Sequence, residues 1–140
     1  MDYFFIFGIF VLIILTYQDI KKHSVDARYN FMMHGMALSL ISHYNYNILL
    51  VLIIILIGFL ARKYLKKYIG VGDLNALHWI MYGLLIISYQ ALINFFFVFC
   101  IIVLIYAGLK YLIYKSFNTP TPFYPVIFAS FLTNYIIYFL

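Results

Sequence analysis

The chain of 140 residues carries four acids, Asp2, Asp19, Asp26 and Asp73, and no Glu. Two of the four stand where chemistry can use them. In Ile69-Gly70-Val71-Gly72-Asp73-Leu74 an acid follows two glycines, which give the backbone freedom and let another chain come close. If the run opens a helix, Asp73 is presented beside free backbone N–H groups. In Tyr17-Gln18-Asp19-Ile20-Lys21-Lys22 the second acid closes an apolar stretch. Two carboxyls held close together cannot both ionise, so they share a proton. One then serves as general base towards a water while the other donates a hydrogen bond to a scissile carbonyl. That chemistry needs neither metal nor organic cofactor, and none is expected here. Taken singly, each acid has a plainer explanation. Asp is among the best N-cap residues, and Asp19 is placed to pair with Lys21 or Lys22. It is the combination, an acid just inside the end of one helix level with a Gly-x-Gly-Asp acid opening another, that an aspartyl dyad requires.

Other reactive side chains give no comparable pattern. His23, His34, His43 and His78 show no i, i+4 pair of the kind that holds a metal on one helix, so local hydrogen bonding is expected of them. Asp26 reads as a solvated loop charge near Arg28. Cys100 lies alone in an apolar run; it can form no disulfide within the chain and reads as a buried structural thiol.

The elements that must position Asp19 and Asp73 are set by the solvent. Hydrophobic residues make up 67% of the chain and charged residues 9%, and mean hydropathy is +1.04. A soluble domain carries roughly 25% charged residues, so the bilayer is the expected solvent. The net charge of +5 points to anionic headgroups rather than nucleic acid. The nine cations fall into three clusters: Lys21, Lys22 and Arg28; Arg62, Lys63, Lys66 and Lys67; Lys110 and Lys115. Between them lie the apolar stretches. Tyr3–Gln18 spans about 24 Å as a helix. No Lys or Arg precedes it, so it reads as a retained helix rather than a cleaved signal. Tyr29–Ala61 breaks at His43–Asn47 into a hairpin whose first arm, Tyr29–Ser42, is short enough to be tilted or re-entrant. Leu74–Leu109 breaks near Ser88-Tyr89-Gln90. Phe123–Leu140 follows a proline-rich run. The expectation is a single all-α domain, residues 1–140, of about six transmembrane helices. The cations then occupy loops one, three and five, which the positive-inside rule makes cytoplasmic, with both termini outside. Asp19 and Asp73, 54 residues apart, fall at one depth on the cytoplasmic rim.

With these residues in place the chain resembles the type IV prepilin peptidase family, in particular the short archaeal preflagellin-peptidase type. Gly70-Val71-Gly72-Asp73 matches the family's Gly-x-Gly-Asp. Asp19-Ile20-Lys21-Lys22 with Val25-Asp26 is similar to its first acidic stretch, and Pro122-Phe123-Tyr124-Pro125 to its Pro-Phe-x-Pro run. The six-helix plan extends the resemblance over the whole chain. It implies an aspartyl endopeptidase of the cell membrane, with Asp19 and Asp73 catalytic and Gly70 and Gly72 shaping the approach. The implied substrates are pilin-like or flagellin-like precursors, which lose short basic leaders at the cytoplasmic face. The chain lacks the cysteine-rich loop of the bacterial enzymes, so no methyltransferase activity is implied. Asp26-Ala27 replaces the bacterial Pro-Asn, and Ala129-Ser130 stands where a Gly is often found. Two other classes stay open: a small proton- or cation-handling transporter subunit, favoured by acids near the bilayer midplane, and a catalytically silent scaffold, which needs no facing acids. Presenilin-like peptidases rank lower because their Pro-Ala-Leu signature is missing.

Overall fold

The computed structural model of the chain describes residues 2–44, 48–65, 70–115 and 122–139. It is all-helical, in the order α1 (Asp2–Lys22), α2 (Ala27–Tyr44), α3 (Ile48–Leu65), α4 (Val71–Ile87), α5 (Tyr89–Tyr114) and α6 (Tyr124–Phe139). Among the described residues three stretches are long and apolar enough to cross a membrane: Tyr3–Lys22, Ile48–Leu65 and Tyr89–Tyr114. Helices α4 and α6 are apolar but shorter, and α2 carries Arg28, Asn30, His34 and Ser39 among its apolar residues.

Helix α4 is the centre of the bundle. It packs against α2, α3, α5 and α6, while α1 packs against α2 and α6. Accordingly α4 is buried almost all round, from Leu74 through Trp79 and Tyr82 to Ile86, as befits a helix with no polar face. The outer helices differ. On α3 the side chains of Leu49, Leu52, Leu56 and Phe59 face outwards, as do Phe97, Leu104, Ile105 and Leu112 on α5. Such a surface is costly in water and suited to hydrocarbon.

Aromatic packing fixes the relation of α1, α4 and α6. The Phe4 ring stands edge-on to Trp79 with centroids 6.0 Å apart, Trp79 edge-on to Phe131 at 5.9 Å, and Phe5 stacks on Phe131 at 5.2 Å. Edge-to-face and offset pairs of this kind hold orientation as well as burying area. The tip of the Phe4 ring occupies the space a side chain at Gly83 would need, so Gly83 gives α4 a notch that receives the ring.

The helix breaks follow turn chemistry. Ser88 is extended, ends α4 and caps α5, its hydroxyl accepting the Gln90 N–H at 3.2 Å. At the other end of α5, Lys115 adopts the left-handed conformation with φ 50°. Two expectations need correction. Most of the described cations sit in helices rather than loops: Lys21 and Lys22 belong to the last turn of α1, Arg62 and Lys63 to the last turn of α3, and Lys110 to α5. Cations oppose the partial charge at a helix C-terminus and can extend their long stems past apolar surface, so helices continue through them. Lys66 and Lys67 lie outside the described residues. Cys100 is exposed rather than buried. Helix α5 is covered on one side by α4 and α6, and a weakly polar thiol on its outward side is compatible with an apolar solvent.

Candidate active site

Helix α1 ends just beyond Asp19. His23 takes φ 49° and donates its backbone N–H to the Asp19 carbonyl at 2.9 Å, so the chain turns there. The turn is held from both sides. The Gln18 amide oxygen accepts the Asp26 N–H at 3.0 Å, and Asp26 Oδ1 accepts the Arg28 N–H at 2.9 Å, as an N-cap of α2 would. Asp26 also forms an ion pair with the Arg28 guanidinium at 2.6 Å, and that hydrogen-bonded cation lowers its pKa. It is occupied as a structural residue of the turn.

The Gly-x-Gly-Asp run begins α4. Gly70 is the N-cap, with φ −56° and ψ 143°, and Asp73 is the third residue of the helix. Among the described residues no glycine has positive φ, so conformational freedom is not what this run needs; close approach is. A Cβ on Gly72 would stand 2.6 Å from Val25 Cγ2 and 3.3 Å from the Tyr124 hydroxyl. One on Gly70 would stand 2.9 Å from Asp73 Oδ2. Asp73 is therefore not the N-cap that its type alone suggests. Its carboxyl turns back to the Gly70 backbone, the return arm of a capping box without the forward arm.

Tyr124 links the two acids. It is the first residue of α6 and is 1% exposed. Its backbone N–H donates to Asp19 Oδ2 at 3.1 Å; its hydroxyl donates to the Gly72 carbonyl at 2.8 Å. The Asn30 amide donates to the same hydroxyl at 2.8 Å, and the Trp79 indole N–H donates to Asn30 Oδ1 at 3.1 Å. A directed chain of hydrogen bonds thus runs from α4 to α2 to α6 and back to the turn that carries Asp73. The run ahead of α6 is pinned to α5 by the Tyr106 hydroxyl, which donates to the Pro122 carbonyl at 3.0 Å.

Asp19 and Asp73 line one open cleft of about 370 Å³, with Gly70, Gly72, His23, Asn75 and Tyr124 among its walls. Asp73 precedes the apolar stretch 74–87, at the polar end of its helix. Partial burial first, and the neighbouring Asp19 charge second, raise its carboxyl to about 6. Asp73 therefore keeps its proton to a higher pH than an exposed carboxyl does.

Sequence spacing pointed to Asp19, Asp73, Gly70 and Gly72 but passed over Asn30, Asn75, Trp79 and the individual role of Tyr124. The available signal was energetic. An amide or indole N–H inside an apolar helix is expensive unless it meets a partner. The histidines meet across helices, where spacing along one helix is blind. The His34 and His78 rings stand edge-on with centroids 5.3 Å apart, and His34 Nδ1 lies 2.7 Å from the Asn30 carbonyl. His23 belongs to the cleft wall, and His43 lies where side chains are outside the described residues. Among the described residues no three His, Cys, Asp or Glu side chains gather as a metal site would need. Compared with protein-family models, curated proteins and solved structures, the chain matches none.

Proposed function

We propose that the chain is a membrane aspartyl endopeptidase of the prepilin and preflagellin peptidase kind, with Asp19 and Asp73 as its catalytic pair. The observation that carries this reading is the shared cleft: two acids remote in sequence line one cavity between the end of α1 and the starts of α4 and α6. In the bilayer all six helices cross, α4 and α6 as short spans. The cations then mark the cytoplasmic side, and both termini lie outside. The substrate is a pilin-like or flagellin-like precursor whose short basic leader enters the cleft and whose apolar helix stays in the membrane.

Asp73, whose proton is retained up to about pH 6, donates a hydrogen bond to the scissile carbonyl. Asp19 takes a proton from the attacking water. The resulting tetrahedral species collapses with proton transfer to the leaving amine. Gly70 and Gly72 leave room for an extended backbone to approach. A transporter is disfavoured by the position of the acids, which lie at helix ends rather than at mid-span.

Co-expression with a pilin-like precursor tests this. Asp19→Asn and Asp73→Asn should each abolish leader removal, by about 10³-fold or more as expected for loss of a general acid or base, while the protein remains in the membrane. Cleavage at the wild-type rate by either variant would rule out the dyad.

A further inference from the structure

The head of α6 has few free donors. Pro125 carries no N–H, and the N–H groups of Val126 and Ile127 turn back to the Phe123 carbonyl. The Tyr124 N–H is left over, and it goes to Asp19 Oδ2. The far end of the same side chain reaches α4, where its hydroxyl meets the Gly72 carbonyl and the Asn30 amide. The direction of these bonds is set from inside the bundle. An indole N–H can only donate, so the Asn30 amide turns its oxygen to Trp79 and its NH2 group to Tyr124. That donor fills an acceptor position on the hydroxyl, and the phenolic proton is directed to the Gly72 carbonyl. Trp79, Asn30 and Tyr124 are all buried, where the low dielectric strengthens each bond.

We propose that Tyr124 is a positioning residue that sets the distance between the two acids, holding the Asp19 carboxylate by its backbone N–H and the turn that carries Asp73 by its hydroxyl. The catalytic consequence rests on the peptidase reading. A phenol ring is rigid, so in one rotamer the amide and hydroxyl of Tyr124 stand at a fixed separation. Glycines at positions 70 and 72 give the turn no side chains of its own to lock it, and the hydroxyl supplies a tie instead. Two carboxyls influence each other's proton only while they stay close. A general acid and a general base must also both reach one water and one carbonyl. Tyr124 acts on that geometry through Asp19 and Gly72, not on the reacting atoms.

Tyr124→Phe keeps the ring and the backbone N–H and removes the hydroxyl alone. Tyr82→Phe is the comparison. It removes another buried hydroxyl tying α4 to α2, through the His34 carbonyl at 3.0 Å, and neither of those residues lines the cleft. The chain has four Asp and no Glu, so isotope labelling of the Asp carboxyls in the full-length protein, in lipid nanodiscs, gives a simple NMR spectrum. Asp73→Asn identifies the Asp73 signal, which should titrate near 6 in wild type. In Tyr124→Phe the freed turn admits water and draws away from Asp19, so the midpoint should fall by about 0.5–1 pH unit. Tyr82→Phe should leave it in place. On a synthetic peptide with a short lysine-rich leader and an apolar tail, Tyr124→Phe should lower kcat about tenfold with KM within about twofold. The upper limb of its pH profile should move down with the carboxyl midpoint. Asn30→Ala, which keeps the phenol but no longer directs its proton, should act in the same direction. Combined with Tyr124→Phe it should cost little more, as for members of one network. An unchanged Asp73 midpoint in Tyr124→Phe and Asn30→Ala, or equal effects of Tyr124→Phe and Tyr82→Phe on midpoint and kcat, would overturn the proposal. Cleavage that survives Asp19→Asn or Asp73→Asn would instead remove the peptidase reading, while the carboxyl titration still decides the positioning role.

Discussion

At the scale of single residues, the displaced acid of the cleft is Asp73, whose carboxyl is raised to about 6. The native state binds this proton more tightly than the unfolded chain does, since the carboxyl is raised from 3.8. Stability therefore falls as pH rises between about 4 and 6, with the sign given by proton linkage. Thermal melts in detergent across that range should show a decline that Asp73→Asn removes. A variant with the same pH slope as wild type would mean that Asp73 is not the group responsible. On the proposed peptidase reading the same proton governs turnover. If Asp73 must be protonated to polarise the carbonyl, kcat/KM falls about tenfold per pH unit above about 6. Asp19 and Asp73 were legible in the sequence because acids are scarce in so apolar a chain and both border uncharged stretches. Tyr124 and Asn30 were not, because their importance comes from partners on other helices. Nothing in Asn30 predicts Trp79, 49 residues away.

At the scale of elements, the apolar stretches and polar breaks gave the helix order and most boundaries within a few residues. Ser88 ends one helix and caps the next within the break expected at Ser88-Tyr89-Gln90. The helix ends ran further than charge alone suggested, since α1 and α3 continue through their cations. The Gly-x-Gly run was legible as a special turn, but its physical reason was not. Sequence allows either unusual dihedrals or close approach, and only packing against Val25 and Tyr124 decides for the latter. The distinction predicts opposite outcomes for one substitution. Gly72→Ala drives a methyl into Val25 and Tyr124 and should cost about 1–3 kcal/mol, as overpacking does. It should also displace Asp73 and impair cleavage. Gly35→Ala meets nothing within 4 Å on α2 and should be neutral or stabilising by up to about 1 kcal/mol. Melting temperatures of the two variants provide the measurement. A harmless Gly72→Ala would show that the turn can open without loss.

At the scale of the whole molecule, the proposed peptidase needs its cleft on the side where substrate leaders would be found. Under the six-crossing arrangement, the ends of α1 and α3 that carry Lys21, Lys22, Arg62 and Lys63 share one membrane face with the starts of α2, α4 and α6. Placing those cations outside would oppose the positive-inside bias at two helix hairpins together. The Ser88 junction between α4 and α5 belongs to the opposite face. The chain has one cysteine, Cys100, on an outward-facing part of α5, so Cys100→Ser gives a background with no thiol and little packing cost. In that background Ser24→Cys, on the cleft wall, should react with a membrane-impermeant maleimide only after cells are opened. Gln90→Cys, exposed at the start of α5, should react in intact cells. Both labelling from outside would mean that the bundle crosses the membrane otherwise than proposed. Both labelling only after opening would mean that α4 and α5 form a re-entrant pair rather than two crossings. The expected split requires α4 to carry the chain across with only its apolar stretch 74–87, about 21 Å of helix, with Asp73 left at the rim. A span that short is accommodated by local bilayer thinning, which brings headgroups and water to the level of the acids. The shortness of the central helix and the hydration of the cleft then have one cause, and labelling of residues 24 and 90 from opposite sides is its direct consequence.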